Sequence, residues 1–244
     1  MKESKTILII GAKSDIGMAA ANKFGSKGFD IQLAARNSRG LITAAKDLGI
    51  KYGVRADVLE LDILQYDSFT SFISLLNPLP DIVLSTIGIL GNQKEDEKSI
   101  LNSSLIFMTN YEGPALLINE LANHFELRRR GSIIGCSSVA GDRGRGSNYI
   151  YGSAKAGFSS FLSGLRNRLY QSNVNVLTIS PGFVNTKMTE HLDLPKFLTS
   201  NPKKIANLIY KNRKKNKVLY PFPWRIIMTL IKLVPNFVYN RLKF

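Results

Sequence analysis

The feature that most constrains this chain is a strict alternation of two patterns. Short, apolar, β-branched runs lie at 6–10, 31–35, 58–62, 81–86, 132–137 and 174–180. Segments of helical spacing separate them, at 15–28, 41–48, 68–76, 100–126 and 154–170. Strand and helix taken in turn give right-handed βαβ units and therefore a parallel sheet. The runs are apolar throughout, as strands covered by helices on both faces must be. The expected fold is α/β, a single doubly wound domain whose central parallel sheet is flanked by helices. At 244 residues the chain suits one such domain. Residues 1–195 are assigned to it, and 196–244 to a C-terminal extension that is not an independent domain.

The extension differs in charge. The chain has 33 Lys/Arg against 18 Asp/Glu, a net charge of +15. From residue 196 onward there are twelve Lys/Arg and no Asp or Glu, so the part before it is nearly balanced. A basic tail on a balanced domain points to a polyanionic partner. Cys136 is the single cysteine, which rules out an intrachain disulfide and fits a reducing compartment. His124 and His191 are far apart in sequence, so no metal site is expected. Residues 1–5 pass straight into the first strand without a signal-peptide core. A cytoplasmic protein, peripheral on the inner face of the membrane, is the expectation.

The first strand runs into Gly11-Ala12-Lys13-Ser14-Asp15-Ile16-Gly17, which opens a helix. That is the setting of a Rossmann-type dinucleotide site. Gly11 permits the tight turn and Gly17 close packing of helix on sheet. The helix N-terminus offers N–H groups and a positive dipole end to a pyrophosphate, and Ser14 adds a hydroxyl. Arg36 ends the second strand. An acid there would bind the ribose 2′-hydroxyl of NAD, whereas arginine suits the 2′-phosphate of NADP, with Lys13 assisting. NADP(H) is therefore expected over NAD(H).

Tyr151-Gly152-Ser153-Ala154-Lys155 has the form YxxxK. With nine tyrosines and twenty lysines, chance alone yields about 0.7 such matches. Tyr210/Lys214 and Tyr239/Lys243 share the spacing. Only Tyr151 has a serine thirteen residues upstream, Ser138, at the end of a predicted strand; the other pairs read as solvated basic segments. Residues i and i+4 share a helix face. Lys155 would then lower the pKa of the Tyr151 phenol and make it a general acid near neutral pH. Ser138 would hydrogen-bond the reacting oxygen, and Lys155 would also hold the nicotinamide ribose. Asn110 falls mid-helix, where a buried amide needs partners; it is expected to anchor a water that relays protons to Lys155.

Together Gly11…Gly17, Asp62, Gly88, Asn110, Ser138-Val139-Ala140-Gly141, Tyr151…Lys155 and Pro181-Gly182 resemble the short-chain dehydrogenase/reductase family over about residues 5–195. The resemblance implies an NADP(H)-dependent oxidoreductase with Asn110, Ser138, Tyr151 and Lys155 as catalytic residues. It places Asp62 beside adenine, and Ile63, Gly88, Pro181, Gly182, Val184 and Thr186 along the cofactor. Asp15 replaces the middle glycine of the family's first loop, and Ser85-Thr86-Ile87-Gly88 replaces its usual Asn-Asn-Ala-Gly.

A narrower likeness rests on Gly88–Gly91, on residues 140–153, on Thr186-Lys187-Met188-Thr189-Glu190-His191-Leu192, and on Trp224-Arg225…Met228…Val234-Pro235…Arg241-Leu242. These segments resemble the decaprenylphosphoryl-2-keto-ribose reductases, which complete an oxidation/reduction epimerisation after a flavin-dependent oxidase. A lipid-linked keto-sugar substrate and such an oxidase partner are what this implies. Arg143 and Arg145, between Ser138 and Tyr151, are candidate ligands for a substrate phosphate. Residues 224–234 form an apolar run crossed by one polar stripe, Arg225, Thr229 and Lys232. It is too short to span a bilayer and reads as an interfacial helix on an anionic membrane; packing on the domain or on a second copy is the alternative. Other lipid or small carbonyl substrates remain open. So does a different class, a non-catalytic NADP sensor or a nucleic-acid binder, though intact Ser138, Tyr151 and Lys155 favour an enzyme. A homo-oligomer is consistent with the family.

Overall fold

The computed structural model describes residues 5–190 and 192–241. Residues 1–4, His191 and 242–244 fall outside the described residues, and so do the readings that rest on them. Seven strands are described: β1 (Thr6–Ile10), β2 (Asp30–Ala35), β3 (Ala56–Glu60), β4 (Ile82–Ser85), β5 (Gly131–Cys136), β6 (Val174–Ile179) and β7 (Lys217–Leu219). They form one sheet in the order β3-β2-β1-β4-β5-β6-β7, with every pair parallel. The helices are α1 (Asp15–Gly25), α2 (Ile42–Tyr52), α3 (Phe69–Ser74), α4 (Gln93–Asp96), α5 (Ile100–Phe107), α6 (Gly113–Arg128), α7 (Tyr149–Arg168), α8 (Pro202–Asn212), α9 (Trp224–Leu233) and α10 (Asn236–Tyr239).

The sheet divides two apolar layers. Ile7 and Ile9 of β1 point to one side, packed with Phe24, Leu48, Ile205 and Ile209 from α1, α2 and α8. Leu8 and Ile10 point to the other, with Phe72, Phe125, Phe158 and Leu162 from α3, α6 and α7. The period of two sends successive side chains of one continuous apolar strand into both cores. This is the doubly wound Rossmann-type fold expected. Strand order reverses between β1 and β4, and a crevice opens there at the carboxyl ends of the strands.

Several boundaries differ from expectation. The third strand ends at Glu60, where the carboxylate accepts the N–H groups of Asn37 and Ser38, both at 2.7 Å. Asp62 therefore sits in the loop beyond it. The fourth predicted helix, 100–126, is broken by a π turn at Met108–Glu112. α7 starts at Tyr149, ahead of the predicted 154, because the Gln93 side chain accepts the Ile150 N–H at 3.2 Å. The tail supplies elements that periodicity did not show: β7 pairs with β6, and Tyr210 of α8 packs edge-on against Phe24, 5.3 Å between ring centroids.

Candidate active site

A cleft of about 1290 Å³ runs over the carboxyl ends of the strands. Its cofactor-side lining includes Gly11, Lys13, Ser14, Asp15, Ile16, Arg36, Asp62, Ile63 and Gly88, and beyond them Pro181, Gly182, Val184 and Thr186. Gly17 lies beneath the loop, where a side chain would meet the Gly11 carbonyl and the Ser14 hydroxyl. Gly11 has φ +84°, a conformation open to glycine. Ser14 caps α1, its hydroxyl accepting the Gly17 N–H at 3.0 Å and donating to Thr86 at 2.9 Å. Asp15 has a different employment: its carboxylate accepts the Lys187 N–H at 2.8 Å and ties α1 to the loop after β6. Lys13 reaches the Asn37 carbonyl at 2.6 Å, which sets its ammonium beside the exposed Arg36. Two cations thus stand at the end of β2, a charge pattern that fits a ribose phosphate.

The chemistry gathers at the centre of the cleft. Ser138 follows β5, accepts the Ala140 N–H at 3.1 Å and hydrogen-bonds the Tyr151 phenol. Tyr151 occupies the first turn of α7. Lys155, one turn later, is only 3 % exposed. Its ammonium donates to the Ile87 carbonyl at 3.1 Å, with the Cys136 carbonyl at 3.5 Å, and lies 5.8 Å from the centroid of the Tyr151 ring. The expected pull of Lys155 on the phenol is not the dominant effect. Burial pushes Tyr151 up to about 12, against the opposing hydrogen bond from Ser138. The phenol therefore keeps its proton at neutral pH. Burial also brings Lys155 down to about 8.

The Lys155 shift has a consequence for stability. The unfolded chain keeps this proton to its ordinary value of 10.5, while the folded protein releases it near 8. Between those values the unfolded state binds more protons, so stability rises with pH. Relative to Lys155→Met, the wild type should gain about 3 kcal/mol across that window. Denaturant unfolding of both proteins at the two ends measures it; a difference that stays constant would refute the buried, desolvated lysine.

Asn110 sits in the π turn and is fully buried. Its amide donates to Ile89 and Ile106 carbonyls at 2.9 and 3.0 Å and accepts the Ile89 N–H at 3.2 Å. The side chain is thus spent on the backbone. Pro114 has no N–H to give the Asn110 main-chain carbonyl, so the proline and the π turn leave that carbonyl without its α-helical donor. A methyl group added at Gly88 would lie 2.8 Å from Asn110 Oδ1 and 3.1 Å from Lys155 Nζ, so both groups converge on one small space.

Two further expectations are corrected. Arg143 does not reach the cleft. Its guanidinium donates to the Ile231 carbonyl, to the Val234 carbonyl at 2.6 Å and to Asn236 at 2.9 Å, and it covers the Tyr239 ring at 3.7 Å. It caps α9, where carbonyls at a helix C-terminus attract a cation. Arg145 does line the cleft, its guanidinium 4.0 Å from Met228 Sδ. The tyrosines of the other YxxxK pairs are packed rather than solvated. Tyr210 lies against Phe24 and Tyr239 under Arg143, and neither lines the cleft.

Residues not foreseen also shape the site. Gln93 of α4 caps α7 from across the cleft. Trp224 lies flat on Gly182, donates to the Leu198 carbonyl at 3.0 Å and meets Phe183 edge-on at 5.2 Å. Lys232 pairs with Asp142 at 2.9 Å. Through these contacts α9 grips both the segment after Ser138 and the loop after β6. The apolar run at 224–234 was the only signal for this, and it did not show which face docks.

Comparison with known proteins agrees with this geometry. A family model described as short chain dehydrogenase matches residues 5–196. An uncharacterized oxidoreductase of Mycobacterium tuberculosis is 33 % identical over 242 residues, 97 % of this chain and 96 % of that protein. A 3-oxoacyl-[acyl-carrier-protein] reductase of Aquifex aeolicus is 27 % identical over 85 % of this chain and 89 % of its own length. Among solved structures, a short-chain dehydrogenase from Sphingobium yanoikuyae in complex with NADPH superposes with TM-score 0.80 at 20 % identity, covering 95 % of this chain and 97 % of the other. With Ser138, Tyr151 and Lys155 converging at the switch point of a doubly wound sheet, the chain belongs to the short-chain dehydrogenase/reductase family, an oxidoreductase family.

Proposed function

We propose that the protein is an NADPH-dependent reductase of a keto group on a polyprenyl-phosphate-linked sugar, of the 2-keto-pentose type. The cofactor's residues fit: the α1 N-terminus and Gly11 turn for the pyrophosphate, Arg36 and Lys13 for a 2′-phosphate, and Lys155 for the nicotinamide ribose. Bound there, NADPH supplies the hydride. Tyr151 holds a proton ready for the carbonyl oxygen, and Ser138 donates a hydrogen bond that stabilises the charge developing on it. Lys155 fixes the ribose side and replaces the proton that Tyr151 gives up, and the Asn110 main-chain carbonyl is the acceptor available for a water that returns a proton to the lysine.

The observation that carries the substrate reading is the cleft itself. Its volume of about 1290 Å³ takes in the dinucleotide's lining and a substrate end beyond it. On the substrate side Arg145, Asn148 and Gln93 offer polar groups beside the apolar Leu90, Leu105 and Leu192. A phosphorylated sugar on a hydrocarbon chain needs that combination. In such an oxidation/reduction pair, a flavin-dependent oxidase supplies the ketone.

NADPH consumption measured with a lipid-linked 2-keto-pentose, a 3-oxoacyl thioester and simple ketones tests the proposal. The expected kcat/KM for the keto-sugar is about 100-fold above the others, since binding energy from remote substrate groups raises it. Comparable or better turnover of the thioester would overturn the substrate reading and leave the reductase chemistry standing. Cofactor choice is a separate expectation. Arg36→Asp should raise KM for NADPH about 10- to 100-fold, the worth of a charge-assisted hydrogen bond, and leave KM for NADH nearly unchanged. Equal losses with both cofactors would remove Arg36 from the 2′-phosphate.

A further inference from the structure

Helix α9 has two apolar faces, and only one is used by the fold. Trp224 and Met228 are buried against Val139, with Ile227 and Ile231 packed beside them. Ile226, Leu230 and Leu233, spaced i, i+4 and i+7, form a stripe on the opposite side. With Phe222 before the helix and Phe237 after it, these five side chains are between 55 and 74 % exposed. Exposed apolar side chains grouped on one face mark an interaction surface.

We propose that this outer face of α9 and α10 docks the protein onto an anionic lipid bilayer. Charge selects the occupant. The tail from residue 196 onward has twelve Lys/Arg and no acid. Arg225 is exposed beside the stripe. Asp142, the acid that reaches this helix, is already paired with Lys232 at 2.9 Å. Cations flanking an apolar stripe are what a helix lying in the interface presents to acyl chains and lipid phosphates. No described helix is long and apolar enough to cross a membrane, so the surface lies on the bilayer rather than through it. The docked face is also placed to matter. The inner side of the same helix holds Gly182 and the segment carrying Arg145, both on the rim of the cleft. Docking therefore places α9 between the bilayer and the rim of the cleft. This surface does not depend on the identity of the reduced substrate.

Sedimentation of the full chain with vesicles tests it, using phosphatidylglycerol mixed with phosphatidylcholine against phosphatidylcholine alone. Binding should favour the anionic vesicles and weaken with salt. The double variant Leu230→Ser, Leu233→Ser should bind them about tenfold or more weakly. Leu127→Ser, at a still more exposed leucine on α6, should bind as the wild type does. Turnover of a soluble ketone should be the same in all three, which shows that the variants fold. Equal binding by the stripe variant, equal binding to neutral vesicles, or no binding at all overturns the proposal. So does a wild-type dimer in gel filtration that the stripe variant converts to monomer, which would assign the face to a second copy of the chain.

Discussion

Replacing Tyr151 by Phe is expected to lower kcat for ketone reduction by about a thousandfold, the scale on which a positioned general acid contributes. The substitution removes one oxygen and leaves the ring that shapes the centre of the cleft. Burial holds the phenol near 12 and keeps it protonated at neutral pH. It is thus the stored proton, not the ring, that the variant lacks. Ser138 remains and still donates to the developing alkoxide, so activity should not fall to the uncatalysed rate. KM for NADPH should hold, because Arg36, Lys13 and Lys155 are untouched. Steady-state kinetics with circular dichroism as a folding control decide the matter. A variant within tenfold of wild type would mean that another group supplies the proton, and the assignment of Tyr151 would be lost.

The position of that proton was legible because three constraints meet at Tyr151. The i, i+4 spacing puts Lys155 on its helix face, Ser138 ends the preceding strand, and both elements reach the carboxyl edge of a parallel sheet. Each is local or follows from topology. The direction of the phenol's shift was not legible, since it depends on how deeply the neighbourhood is buried. The π turn was hidden for a related reason. A single turn with one extra residue is short against the apolar run of 100–126, and only Pro114 hinted at the break. Arg143 was misplaced because its partners, Ile231, Val234 and Asn236, lie about ninety residues away in the chain. A glycine-flanked arginine near a catalytic serine looks like a ligand until the helix it caps is in view. The three-residue β7 carries too little pattern to stand out from the basic run around it.

The second large effect is expected at Gly182, and it measures how far the tail belongs to the active site. A Cβ built there would lie 1.9 Å from Cε2 and 2.2 Å from Cδ2 of Trp224. The indole cannot easily yield. It is 4 % exposed and its Nε1 is held by the Leu198 carbonyl at 3.0 Å. Gly182→Ala should therefore destabilise the protein by about 3 kcal/mol, the upper range for overpacking a core. It should also depress reductase activity, because Pro181, Gly182, Phe183, Val184 and Thr186 line the cleft. Trp224→Ala alone should cost a similar roughly 3–5 kcal/mol by opening a cavity. The decisive measurement is the double variant. With the indole gone the added methyl group loses the three nearest atoms it would meet, so Gly182→Ala should cost far less, a coupling of about 3 kcal/mol between contacting residues. Urea unfolding of the four proteins gives that coupling directly. If the two substitutions simply add, the indole is not what makes glycine obligatory there.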